Sequence, residues 1–172
     1  GTLLPLWSFS PATASGRAVT ALLWSPKHAD VFAVGYGAFN PVQQVSGLVC
    51  LYSLANADSP ECQISLPSGV LALDSHPKMP FLLSVGCQDG SVHVINTATS
   101  TLLASCSHTE RHKDQVWQVR WLQPFSLRNA SQFLSTSSDG IVIHWDLCIG
   151  SGTLRRSSAM SLSGAHPSIP TV

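Results

Sequence analysis

Charge is what this 172-residue chain has least of: nine Lys and Arg, nine Asp and Glu, 10% of the residues and a formal balance of zero. An ordinary soluble domain carries about 25%. Electrostatic binding to nucleic acid needs a basic stripe, and a polybasic membrane anchor needs clustered cations. Neither is present, so neither partner is expected. The longest basic cluster, Arg111-His112-Lys113, runs directly into Asp114 and reads as a solvated loop. No apolar run reaches the roughly 18 residues of a membrane helix. The five cysteines (Cys50, Cys62, Cys87, Cys106, Cys148) include no C-x-x-C pair, so no zinc site is expected. Scattered through apolar runs, they read as buried free thiols of a reducing compartment.

Catalytic and cofactor motifs are missing as well. There is no Walker loop and no Rossmann glycine pattern, so no cofactor is expected. The stretch SSDGIVIHWD offers Ser137, His144 and Asp146 as a hydrolase set. A serine hydrolase, however, places its nucleophile on a strained turn such as G-x-S-x-G, and that turn does not occur. His108 and His112 have i, i+4 spacing, but in a polar loop rather than on a helix. The reading is no enzyme, no catalytic residue and no metal. Asn129-Ala130-Ser131 and Arg155-Arg156-Ser157-Ser158 match a glycosylation sequon and a basophilic kinase site, both read as chance. The chain opens without Met as GTLLPLWSFSP, with proline at position 5 and no basic n-region. It is expected to be a piece of a longer protein, and its start is not expected to be a signal peptide.

What the chain does have is repetition. VTALLWSP from Val19, VLALDSHP from Val70 and VWQVRWLQ from Val116 share one alternating pattern. Each is followed by a second apolar run: VFAVGYG, FLLSVGCQDG and QFLSTSSDG. Two of these end in Asp-Gly, at Asp89-Gly90 and Asp139-Gly140, the strongest short hairpin signal. A third run follows (GLVCLYSL, GSVHVINT, GIVIHWDL) with Tyr52, Ile95 and Trp145 at one fixed place. ECQISL and TLLASCS supply candidate fourth strands. A four-stranded unit recurring at roughly 40–50 residues is the period of a β-propeller blade. Blades are covered on both faces, which accounts for near-continuous apolar runs and for the low charge.

Trp145-Asp146 stands where a WD40 repeat carries its Trp-Asp pair, and the resemblance to that family extends further. It implies a hydrogen-bonded network of a loop histidine, a strand hydroxyl, a turn aspartate and the tryptophan: here His112, Ser135, Asp139 and Trp145. The second unit keeps Asp89 but has Ile95 in the tryptophan place. The first has Tyr52 and an insertion, AFNPVQQVS. VTALLWSPKHADVFAVGYG, SGLVCLYSL, SGVLALD and HKDQVWQVRW together resemble axonemal dynein intermediate chains of the outer-arm type, over about Gly1 to Leu147.

The expected fold is therefore all-β, a WD40 β-propeller fragment of about three four-stranded antiparallel blades. Residues 1–17 are expected to be a strand (LLPLWSF) or linker from a preceding blade. Blades are expected over 18–66 with insertion 38–46, over 67–107 and over 108–147. Residues 148–172, rich in Ser and Gly, are expected to be an unfolded or aberrant tail. Three blades cannot close, so two blade faces should be open, an aggregation liability. By resemblance the chain is a non-catalytic subunit of an axonemal dynein. Its implied partners are the heavy chain, a second intermediate chain and light chains, in cytoplasm, cytoskeleton and ciliary axoneme. A scaffold of cytoplasmic dynein or of intraflagellar transport is the alternative. Trp117, at the start of an innermost strand, is a candidate partner contact. Phe39 and Val45 in the insertion are two more.

Overall fold

The computed structural model describes residues 3–38, 40, 45–123 and 131–161. Within them lie twelve strands, one 3-10 turn (Ala12–Ala14) and no α-helix. The first blade is β1 (Ala18–Trp24), β2 (Val31–Gly37), β3 (Gly47–Ser53) and β4 (Cys62–Leu66). The second is β5 (Val70–Ser75), β6 (Leu82–Cys87), β7 (Val92–Asn96) and β8 (Thr101–Ser105). The third is β9 (Val116–Trp121), β10 (Gln132–Ser137), β11 (Ile141–Cys148) and β12 (Thr153–Ser161). Every pairing inside a blade is antiparallel, in chain order. The outer edges of the second and third blades touch through one parallel pair, Thr153 with Ser105.

Burial follows position in the stack. The second blade has neighbours on both sides, and β6 is buried at every residue. Among the described residues the third is flanked by a blade on one side, and its β10 and β11 mix buried with half-buried positions, β11 ending on the exposed Cys148. An apolar layer separates each pair of blades. Val70, Val85 and Ile95 meet Ala33, Val49 and Ile64 between the first and second. Val116, Phe133 and Trp145 meet Ala72, Val92 and Val94 between the second and third. The approach is close: a Cβ on Gly35 would lie 2.5 Å from Val70 Cγ1, and one on Gly86 2.5 Å from Val116 Cγ1. Glycine is what lets the leading valines of the second and third blades sit on the preceding blade. Asp74 adds a polar clamp, accepting the Trp121 backbone N–H at 2.7 Å while its carbonyl accepts the Trp121 indole N–H at 3.2 Å.

Two expectations about the ends are corrected. LLPLWSF is not a strand: described residues before β1 form no ladder, and Leu3, Leu4, Leu6 and Trp7 are exposed. Pro5 cannot donate to a ladder, and no described strand pairs with this segment. This segment instead caps the first blade, with Phe9 5.1 Å from both the Phe32 and Tyr52 rings and Ala14 buried in the same cluster. One of the two faces expected to be open is thereby partly covered. Part of the expected unfolded tail is strand, because β11 runs on to Cys148 and β12 pairs with it from Thr153 to Ser161. Only Leu154 of β12 is buried, so the backbone ladder rather than apolar burial orders this strand. Residues 162–172, Phe39 and the sequon asparagine Asn129 lie outside the described residues.

Candidate functional site: a polar network and the mouth of the blades

The turn aspartate, strand serine, loop histidine and tryptophan of the third blade converge. The Trp145 indole N–H donates to Ser135 Oγ at 2.7 Å, and Ser135 Oγ lies 2.6 Å from His112 Nε2. His112 Nδ1 lies 3.2 Å from Asp139 Oδ2. The carboxylate also accepts the backbone N–H of Lys113 at 3.0 Å and of Ile141 at 2.9 Å. One proton arrangement satisfies all of it: Trp145 donates to Ser135, Ser135 donates to His112 Nε2, and Nδ1–H donates to Asp139. That arrangement needs a neutral imidazole. Burial holds His112 below its ordinary pKa although Asp139 pulls the other way. Burial pushes Asp139 up, but the two backbone N–H groups and His112 outweigh it and hold the carboxyl below its usual range.

The loop carrying His112 is not the solvated loop that its charges suggested. His112 is buried, and Arg111 forms a 3.2 Å ion pair with Asp89. The loop docks on the hairpin turn of the preceding blade, where the His112 N–H donates to the Gly90 carbonyl at 3.1 Å.

The other two blades carry different polar contacts. In the second, Ser91 Oγ bridges Asp89 Oδ1 (2.5 Å) and His93 Nε2 (3.1 Å), and His93 Nδ1 reaches Ser105 Oγ at 2.8 Å. In the first, the Tyr36 and Tyr52 hydroxyls pair at 2.9 Å, and burial above all raises the pKa of both. The hydrolase set does not assemble. Ser137 donates to the Asp114 carbonyl at 2.9 Å, and Asp146 takes the Gln132 amide. His144 pairs in the ladder with Leu134 and Ser158, and its Nε2 has no hydrogen-bond partner among the described residues.

A regularity invisible in the sequence lies at the opposite end of the innermost strands from Trp24. Each first strand shifts register by one residue: between Val19 and Ala21, between Val70 and Ala72, and opposite Thr136/Ser137. The extra residues are Thr20, Leu71 and Trp117. A β-bulge leaves its extra residue unpaired and re-aims the side chain. All three line one cavity of about 520 Å³, with Val19, Gln88 and Ser138. Trp117 is 58% exposed there, its indole N–H held by Ser138 Oγ. Ala38, where the insertion begins, lies on the same wall. Val45 is half-buried at the insertion's other end.

Residues 60–96 match the family "WD domain, G-beta repeat". Over 150 residues the chain is 42% identical to "Dynein axonemal intermediate chain 1" of Rattus norvegicus, covering 86% of this chain and 21% of that protein. It is 43% identical to "Dynein intermediate chain 2, ciliary" of Heliocidaris crassispina, again covering 86% and 21%. It is 41% identical to "Dynein, 78 kDa intermediate chain, flagellar outer arm" of Chlamydomonas reinhardtii, covering 86% and 22%. The chain thus spans about a fifth of the length of these relatives. Among solved structures, the computationally designed Ika4 protein superposes with TM-score 0.63 at 20% identity, over 90% of this chain and 79% of that one. A chain of the Mitotic Checkpoint Complex superposes with TM-score 0.61 at 21% identity, over 83% and 40%. At these identities the two structures speak for the fold alone.

Proposed function

We propose that this chain, a WD-repeat homologue of axonemal dynein intermediate chains, is a non-catalytic segment of an axonemal dynein intermediate chain. In this reading its blades bind the motor heavy chain, a second intermediate chain and light chains, and so help build the arm that moves cilia and flagella. It works in the cytoplasm, on the cytoskeleton and in the ciliary axoneme. The observation that carries the reading is identity of 41–43% to intermediate chains of a rat, a sea urchin and an alga over 86% of the chain.

The geometry supports a binding role. A rigid stack of sheets holds exposed side chains at fixed places, which is what large protein contacts require. Trp117 is the first candidate contact, because its bulge and the Ser138 hydrogen bond hold an aromatic ring at the cavity mouth. Val45 and Phe39 are the further candidates; Phe39 lies outside the described residues. The His112–Ser135–Asp139–Trp145 network serves as structure in this reading, since buried groups that satisfy one another have no free partner for a substrate. Ser137 is engaged by the Asp114 carbonyl and Asp146 by the Gln132 amide, which favours a non-catalytic reading.

The test is to express the tagged chain in ciliated cells and fractionate axonemes. Recovery in the axonemal fraction is the expected result. Recovery only with cytoplasmic dynein or intraflagellar transport particles would replace this reading with the scaffold alternative. Esterase activity lost on His144→Ala would overturn the non-catalytic assignment.

A further inference from the structure

A second cavity, of about 440 Å³, opens between the first and second blades at the end of the strands away from Trp117. Its floor is apolar: Leu23, Ala33 and Leu51 come from the first blade and Leu83 from the second. Phe81, 42% exposed, stands at its edge. Its rim is basic. Lys27 and His28 come from the turn after β1, and Lys78 from the turn after β5; all three are exposed. No acidic residue lines it among the described residues. The two acids adjacent in sequence to its lining are engaged elsewhere: Asp30 accepts from the Ser53 hydroxyl at 3.1 Å and Asp74 from the Trp121 N–H at 2.7 Å. The rim is also ordered. Ser25 Oγ accepts the backbone N–H of His28 at 3.2 Å, and Lys27 Nζ donates to the Lys78 carbonyl at 3.4 Å, across the groove.

In a chain with only nine basic residues, two lysines and a histidine around one apolar slot are a notable concentration. We propose that this groove binds an acidic peptide segment of a partner protein, with a large apolar side chain seated on the Leu23–Leu83 floor and flanking carboxylates paired with Lys27 and Lys78. The size fits, since ligand sites run from roughly 300 to 1,000 Å³. Charge complementarity at a rim sets specificity and association rate, while the apolar anchor supplies most of the affinity. A membrane surface would need a broad basic face and a nucleic acid a basic stripe. A slot between two blades is neither. The groove's chemistry does not depend on which complex the chain enters, so failure here leaves the dynein assignment standing.

The test uses the full chain and a short fluorescein-labelled peptide with a Leu-Phe pair flanked by glutamates, titrated by fluorescence anisotropy. Binding is expected, weakening as salt is added. The same peptide with lysines in place of the glutamates is expected not to bind. Lys27→Glu with Lys78→Glu should weaken binding by about tenfold or more, and Phe81→Ser should weaken it without moving the melting curve. If the charge-reversed pair fails to fold, Lys27→Gln with Lys78→Gln serves instead. Equal binding of the two peptides, unchanged affinity in the lysine variants, or capture of phosphatidylserine vesicles in place of the peptide would each overturn the proposal.

Discussion

Gly90 and Gly140 hold the same place in consecutive blades, each following an aspartate in a hairpin turn, and both have positive φ, 83° and 75°. Their surroundings differ. A Cβ on Gly90 would lie 2.9 Å from the Asp114 carbonyl oxygen and closer still to that of His112, whereas one on Gly140 would meet nothing within 4 Å. Alanine at positive φ costs about 1–2 kcal/mol, and that cost is common to both. Crowding adds about 1–3 kcal/mol at Gly90 alone, because the loop it would push carries the His112 imidazole into its network. Gly140→Ala should therefore lose about 1–2 kcal/mol and Gly90→Ala about 2–5 kcal/mol. Urea unfolding followed by tryptophan fluorescence reads this, provided the two variants keep the same m-value. Losses equal to within about 0.5 kcal/mol would show that the His112 loop does not rest on the preceding blade's turn, and the blade stacking would be wrong.

Asp139→Ala strands the buried His112 Nδ1–H and the Ile141 N–H, and should cost about 1–3 kcal/mol. Asp139→Asn, which keeps an acceptor, should cost less; a larger loss for Asn by thermal melting would contradict the network. Stability should also fall on mild acidification. His112 and His93 are held below their ordinary pKa chiefly by burial. The unfolded chain therefore takes up protons near pH 6.5 that the folded chain refuses, and stability that is full above that pH declines as it drops. Asp139, also held low, adds a further loss in the carboxylate range. Asp74, raised by burial, works the opposite way there but lies below the histidine window. A melting temperature flat from pH 7.5 to about 5.5 would refute this. Trp117→Ala should stay within about 0.5 kcal/mol of the parent in stability, because the ring is largely exposed, while weakening capture of heavy chain or partner intermediate chain. Unchanged capture would remove Trp117 from the interface.

What was legible in the sequence was local chemistry at a fixed register. Asp-Gly turns and a recurring bulky residue five positions on gave the repeat, and the resemblance to the WD40 family implied the grouping of His112, Ser135 and Asp139 with Trp145. What was not legible depends on counting one strand against another. The bulges at Thr20, Leu71 and Trp117 are register offsets, and no residue type marks them. β12 was hidden because an edge strand with one buried side chain looks polar, and Arg155-Arg156-Ser157-Ser158 reads as a tail. Leu3, Leu4, Leu6 and Trp7 looked like strand, but without a neighbouring strand only Phe9 found a surface. Gly90 carried a turn signal that concealed its second role, leaving room for the next blade's loop.

The most direct measurement is affinity purification of the tagged chain from ciliated cells, followed by identification of the proteins that come with it. The account predicts axonemal dynein heavy chain together with a second intermediate chain. Recovery of cytoplasmic dynein or intraflagellar transport proteins without axonemal heavy chain would contradict it.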